Sequence, residues 1–282
     1  MKRFLSIILS LALMLTLFAA CSSAADATED SSEAEGAVET ATAEASLLGE
    51  DGVFVVGFDQ DFPPYGYVGD DGEFTGFDIE CAKVLAERLG WEISLQPIDW
   101  DAKDFELESG TIDCIWNGFT INGREDLYEW TQAYVDNSQV FVVRSDSGIA
   151  SVADLAGKVV AAQKDSSALS AINDDPELLA SFEELIEVAE YNTAFMDLEQ
   201  GAIDAVAMDI GVAEYQMEGR EADFTILEET LMAEQYGIGF KLGNTALRDA
   251  VEAEFVKMVE EGVVAEISAE FFDGEDVCII GK

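Results

Sequence analysis

Val53-Phe54-Val55-Val56-Gly57-Phe58 is an unbroken apolar run, the pattern of a strand buried on both faces of a parallel sheet. Beyond a Pro63-Pro64 loop, Phe77, Cys81, Val84, Leu85 and Leu89 recur at helical spacing, and Gly90 supplies a stop. The pattern then predicts a strand over Ile93–Pro97, a helix around Lys103–Ser109 and a strand over Thr111–Trp116. The order βαβαβ is the signature of a parallel α/β sheet.

A second α/β set opens with Val140-Phe141-Val142-Val143. The predicted elements are a helix Val152–Ala156 ending at Gly157, a strand Lys158–Ala162 and a helix starting near Ser166. A strand near Ile186–Ala189, a helix Ala194–Gln200 stopped by Gly201 and a strand Ala205–Met208 follow. Glu234 to Phe240 reads as one more strand, and helices over Thr245–Glu261 and Val264–Phe272 close the chain. If the last portion returns to the first unit, connecting strands cross between two lobes near Asn137–Gln139 and near Glu234–Gln235. Such a connection is a hinge, with a ligand cleft between the lobes.

The chain has 282 residues, 49% of them hydrophobic, enough for a real core. A formal charge of −45 argues against nucleic acid or an anionic lipid surface as partner. There is no histidine, which removes Ser-His and Cys-His catalysis and every His-based metal site. No metal or other cofactor is expected.

Lys2 and Arg3 precede an apolar run, Phe4–Ala20, that stops at Ala19-Ala20-Cys21, so residues 1–20 read as an export signal. The cysteine after the small pair resembles a bacterial lipobox, with Cys21 lipidated and holding the protein at the outer face of the membrane. A plain secretory signal with an incidental cysteine, or a retained span, are the alternatives. Residues 21–50 are rich in Ala, Ser, Thr, Glu and Asp, the composition of a disordered acidic tether. Cys81, Cys114 and Cys278 are expected as buried thiols, a Cys81–Cys114 disulfide being the alternative.

Trp116-Asn117-Gly118-Phe119-Thr120-Ile121-Asn122-Gly123-Arg124 sets a backbone N–H at Gly118, a hydroxyl at Thr120 and a guanidinium at Arg124 close together. These groups suit one small carboxylate. Ile203 to Asp209 supplies the complement, an apolar strand ending in an acid suited to an ammonium. A clamp for each charge describes an amino-acid binder. The plainer readings are a surface pair of Arg124 with Glu125 or Asp126, and Asp209 as the N-cap of the helix beginning Ile210-Gly211.

The chain resembles the extracytoplasmic amino-acid-binding proteins of ABC importers, solute-binding family 3. The resemblance rests on Asp59-Gln60-Asp61-Phe62-Pro63-Pro64-Tyr65, Gly76-Phe77-Asp78-Ile79, Gly118-Phe119-Thr120 with Arg124, Asp154-Leu155-Ala156-Gly157-Lys158, Asp204-Ala205-Val206 with Asp209, and Gln235-Tyr236-Gly237-Ile238. It implies an α/β, two-lobed type II periplasmic-binding fold, each lobe a sheet flanked by helices, joined by a two-strand hinge. Lobe one then takes residues 51–137 and 235–282, and lobe two takes 138–234.

The resemblance also implies ligand contacts. Phe62 and Trp100 are the aromatic walls, either of which is otherwise a core aromatic. Gly118 and Thr120 contact the ligand from lobe one together with neighbouring Asn117, Arg124 anchors the α-carboxylate, Ser166 adds a hydroxyl and amide for it, and Asp209 accepts the α-ammonium. Asp59, Gln60, Gln163 and Met208 surround the side chain, for which the negative field favours a polar or basic amino acid over aspartate or glutamate. Lys164 and Ser167 read as loop surface. Two departures stand out: the loop from Thr120 to Arg124 is one residue short of the family spacing, and Asp165 occupies a position where Gly is usual. The implied partners are an amino acid and an ABC permease with its ATPase, and a monomer is expected. An enzyme of the same fold, similar to cyclohexadienyl dehydratases, is the alternative from another class.

Overall fold

The computed structural model describes residues 47–49 and 52–282. The signal segment, Cys21 and most of the tether lie outside the described residues. Leu48, on the tether side of the expected boundary, is buried with the main core.

The described elements are, in chain order, β1 (Val53–Phe58), β2 (Asp61–Phe62), β3 (Gly66–Val68), β4 (Phe74–Thr75), α1 (Phe77–Leu89), β5 (Glu92–Pro97), α2 (Lys103–Ser109), β6 (Cys114–Ile115), β7 (Glu129–Trp130) and β8 (Val135–Arg144). There follow β9 (Val159–Gln163), α3 (Ser167–Asp174), α4 (Pro176–Ser181), β10 (Glu184–Val188), α5 (Tyr191–Gln200), β11 (Ala205–Asp209) and α6 (Ile210–Met217). The last are β12 (Phe224–Ile226), β13 (Met232–Tyr236), β14 (Gly239–Phe240), α7 (Thr245–Glu260) and α8 (Val263–Phe271).

One sheet has the order β5-β1-β6-β14-β7, with β1 parallel to both β5 and β6. The second has the order β10-β9-β11-β8-β12, and β13 also pairs with β8. Each sheet is covered on both faces, which is why β1 and β11 are apolar throughout until the final Asp209. The main core runs from Phe54 and Val56 of the first sheet to Val206 and Met208 of the second. Phe141 and Val160 head a separate cluster behind the second sheet, and Ile115 and Phe119 head one behind the first.

Two of the helices end where left-handed glycines stop them as expected, Gly90 at φ 71 after α1 and Gly201 at φ 73 after α5. Three expectations fail locally. The strand expected over Thr111–Trp116 shrinks to Cys114–Ile115, because the Thr111 and Ile112 N–H groups donate back to the Glu106 carbonyl and close α2 instead of entering a ladder. The helix expected over Val152–Ala156 is a 3-10 turn, Val152–Leu155, held by a Ser151/Asp154 capping box. The single strand expected from Glu234 to Phe240 is two strands in two sheets, interrupted at Gly237 and Ile238.

That interruption is where the chain passes from one sheet to the other. β13 pairs antiparallel with β8, Asn137 opposite Glu234 and Val135 opposite Tyr236. A Cβ on Gly237 would stand 2.7 Å from the tip of the Ile121 side chain, which would have to shift. Cys81, Cys114 and Cys278 are buried free thiols, so the alternative Cys81–Cys114 bridge is absent.

Candidate functional site

On the first lobe, the chain leaves β6 and turns across the sheet end at Asn117–Thr120. Asn117 Oδ1 accepts the Asp59 N–H at 3.0 Å, tying this turn to the end of β1. Gly118 has φ 55, and a Cβ on it would meet Phe62 at 2.9 Å and Tyr236 at 3.1 Å, so glycine lets both rings lie against the backbone. Its N–H was expected to be free for a ligand. It donates instead to Asp78 Oδ2 at 2.6 Å. Burial pushes the Asp78 carboxyl up to about 7.

The Thr120 hydroxyl is buried and donates to Ser167 Oγ of the second lobe at 3.3 Å. Arg124 lies over the Phe119 ring and donates to the carbonyls of Thr120 at 3.3 Å and Asp165 at 3.1 Å. Despite the short loop, its guanidinium thus crosses to the other lobe. Arg124 has no carboxylate at ion-pair distance among the described residues, so the surface pair with Glu125 or Asp126 is not formed.

On the second lobe, β9 ends at Gln163, whose Nε2 donates to Asp59 Oδ2 at 2.6 Å and to the Ala189 carbonyl at 2.9 Å. Burial raises Asp59 to about 6 against the lowering effect of hydrogen bonds from the Asp61 N–H and from Gln163. Asp165 takes the left-handed conformation at φ 55 that glycine would take, and its carboxylate pairs with the buried Lys103 of α2. Ser166 is the N-cap of α3 and accepts the Leu169 N–H at 3.1 Å, so its hydroxyl oxygen is already engaged. Ser167, expected at the loop surface, is buried and linked to both Thr120 and Gln139.

Asp209 occupies the N-cap position of α6, yet its side chain caps nothing. Its Oδ1 accepts from Asn137 Nδ2 at 2.8 Å, Gln139 Nε2 at 2.7 Å and the Tyr236 hydroxyl at 2.5 Å. Burial first, and then the charge of Glu234, push its carboxyl up to about 7. No cation lies at ion-pair distance from it among the described residues.

Asp59, Phe62, Asn117, Gly118, Thr120, Arg124, Gln163, Ser166 and Asp209 therefore gather where the lobes meet. Trp100 stands further out: it is half-buried, edge-on to Phe119 with centroids 5.4 Å apart, at a cleft mouth of about 430 Å³ that Asp59, Gln60, Asp61, Asp101, Lys164 and Glu190 help to line. The ring neighbours of Phe62 are Tyr65 and Tyr191, at 5.8 and 6.0 Å. Sequence reasoning missed Asn137, Gln139, Glu234 and Tyr191, and saw Tyr236 only as part of a motif. The available signal was period-two spacing: Asn137 with Gln139, and Glu234 with Tyr236, each place two polar side chains on one face of a strand.

The model of the bacterial extracellular solute-binding proteins, family 3, matches residues 54–274. The L-cystine-binding protein TcyJ of Escherichia coli K12 is 30% identical over 234 residues, 81% of this chain and 85% of that protein. The arginine-binding extracellular protein ArtP of Bacillus subtilis is 26% identical over 78% of this chain and 86% of its own length. Among solved structures, an ABC uptake transporter substrate-binding protein from Streptococcus pneumoniae with bound histidine superposes with a TM-score of 0.78 at 32% identity, covering 84% of this chain and 99% of that one.

Proposed function

The chain belongs to family 3 of the bacterial extracellular solute-binding proteins, and on that footing we propose that it captures a free amino acid in its interlobe cleft and hands it to an ABC importer. The observation that carries this reading is the pair of charges unmatched among the described residues: Arg124 without a carboxylate and Asp209 without a cation, both at the lobe junction. A zwitterion supplies what each lacks. Arg124, Thr120 and the N-terminus of α3 receive the α-carboxylate, and Asp209 receives the α-ammonium. The Gly118 carbonyl, rather than its N–H, is the backbone group left for the ligand.

The contacts now joining the lobes support closure around the ligand. Asp59 meets Gln163, Asp61 meets Asn192 at 2.8 Å, Thr120 meets Ser167, and Lys103 meets Asp165. A ligand held by both lobes adds to the closed form alone and so shifts the equilibrium toward it. A permease with its ATPase reads the closed shape. Relatives named for cystine, arginine and histidine point to side chains that are polar or cationic. The carboxylates at the cleft mouth support the same class here, with Asp59, Gln163, Phe62 and Trp100 around the side chain. The lobes are bounded at residues 137 and 234, and Cys21 carries the lipid anchor.

Mass spectrometry of small molecules released from denatured protein tests this reading, together with a thermal-shift screen of the proteinogenic amino acids plus cystine. A polar or basic amino acid recovered unchanged is the expected result. Stabilisation by glutamate or aspartate alone would overturn the side-chain class, and conversion of the added compound would favour an enzyme of this fold.

A further inference from the structure

Glu234 is a buried acid beside the site that the reading above does not use. It lies on β13 opposite Asn137 and is 3% exposed. Its Oε1 accepts from Asn137 Nδ2 at 2.7 Å and Gln139 Nε2 at 2.8 Å. The same nitrogens donate to Asp209 Oδ1, so two carboxylate oxygens bracket one pair of amides. Glu234 Oε2 has no hydrogen-bond partner among the described residues. Gln139 Nε2 also faces Ser167 Oγ at 2.9 Å, which sets three oxygens around a nitrogen with two hydrogens to give. The cluster is short of hydrogens, and no cation at ion-pair distance relieves it among the described residues.

We infer that Asp209, set against Glu234 on the same pair of amides, holds a proton in the unliganded protein, and that the α-ammonium of the ligand displaces it. Glu234 is then a positioning residue: it holds Asn137 and Gln139 against Asp209 and keeps the pair ready to accept a positive charge. The charges balance. The protonated pair carries one negative charge, and two ionised carboxylates against one ammonium carry the same, the proton having left to solvent.

The other titratable groups around the pair leave this exchange to the carboxylates. Tyr191 and Tyr236 touch Asp209, and Tyr65 packs edge-on to Tyr236; burial holds all three hydroxyls above their ordinary range, so they stay protonated. Asp59, Asp78 and Glu214 act on the same tyrosines and add negative potential, which favours retention of the proton. Arg124 is engaged with carbonyls of Thr120 and Asp165. The raised Asp209 carboxyl agrees with this geometry.

The inference rests on the amino-acid reading above. Its test is calorimetry with L-arginine, L-glutamine and L-cystine, each in two buffers of unlike ionisation enthalpy, at pH 6 and pH 8. About one proton released per molecule bound is expected at pH 6 and markedly less at pH 8, with affinity falling up to about tenfold per pH unit below pH 7. Glu234→Gln keeps the side-chain shape and removes the second acid; it should bind with less proton release at pH 6 and a flatter pH profile. Binding by the unaltered protein without proton release at pH 6, or unchanged release in Glu234→Gln, overturns the proton exchange at Asp209 and leaves the amino-acid reading standing. Failure of all three to bind at either pH, with no stabilisation by any other proteinogenic amino acid in the thermal-shift screen, overturns that reading, and the inference with it.

Discussion

A buried charge without a partner among the described residues, as at Asp209, is costly, and with an Arg124 that meets only carbonyls at the same lobe junction it is hard to explain by folding alone. Arg124 and Asp209 differ in what else they do. Arg124 is partly exposed and bonds only to carbonyls, so Arg124→Ala should leave the fold intact while removing the carboxylate anchor. The loss of one side of a buried charge pair is worth ~3–5 kcal/mol, or a hundredfold and more in affinity. Asp209→Asn should weaken binding by at least about a hundredfold on the same grounds. It should also raise the melting temperature of the unliganded protein at pH 8, where Asp209 is ionised, because it removes a desolvated charge beside Glu234. Calorimetry and thermal unfolding read both variants; a loss below tenfold in Arg124→Ala would place the guanidinium outside the binding contacts. Arg124 and Asp209 stood out in the sequence because cations are scarce and because an acid ends an apolar strand. The occupation of the Gly118 N–H by Asp78 did not, since it joins residues far apart in the chain.

Elements carry the closure. The loop between β9 and α3 holds Asp165 in a left-handed conformation that costs a non-glycine residue about 1–2 kcal/mol. In return its carbonyl receives Arg124 and its carboxylate receives Lys103 from α2 of the opposite lobe. Lys103 is 1% exposed here, and opening the lobes would rehydrate it. Lys103→Met should therefore lower amino-acid affinity by about 5- to 30-fold, corresponding to ~1–2 kcal/mol of closed-state stabilisation. The unliganded melting temperature should change little. Unaltered affinity would show that the ion pair does not bias closure. The helices that close on left-handed glycines were legible because the stop signal is local. The division of residues 232–240 between two sheets was not, because the same apolar alternation fits one long strand or two short ones.

At the scale of the whole molecule, burial of acids makes stability depend on pH in an unusual direction. Asp59, Asp78 and Asp209 are all raised from 3.8, to about 6, 7 and 7. The folded chain then binds more protons than the unfolded one between about pH 4 and pH 7, so stability is lost as pH rises through that window. The formal charge of −45 acts in the same direction by self-repulsion. The unliganded protein should melt about 5 °C or more higher at pH 5 than at pH 8; an equal or lower value at pH 5 would contradict the burial of these acids as charged groups. The proposed anchor makes a separate prediction: Cys21→Ala should move the protein from the membrane fraction to the soluble one and abolish labelling by a fatty-acid analogue. Local pattern was sufficient for the α/β alternation, the two sheets and the family motifs, since period, glycine stops and apolar runs act over a few residues. Hydrogen-bond ownership at the site needed the fold. Asn137, Gln139, Glu234 and Asp209 come from three strands, and only strand register decides that their side chains meet on one face.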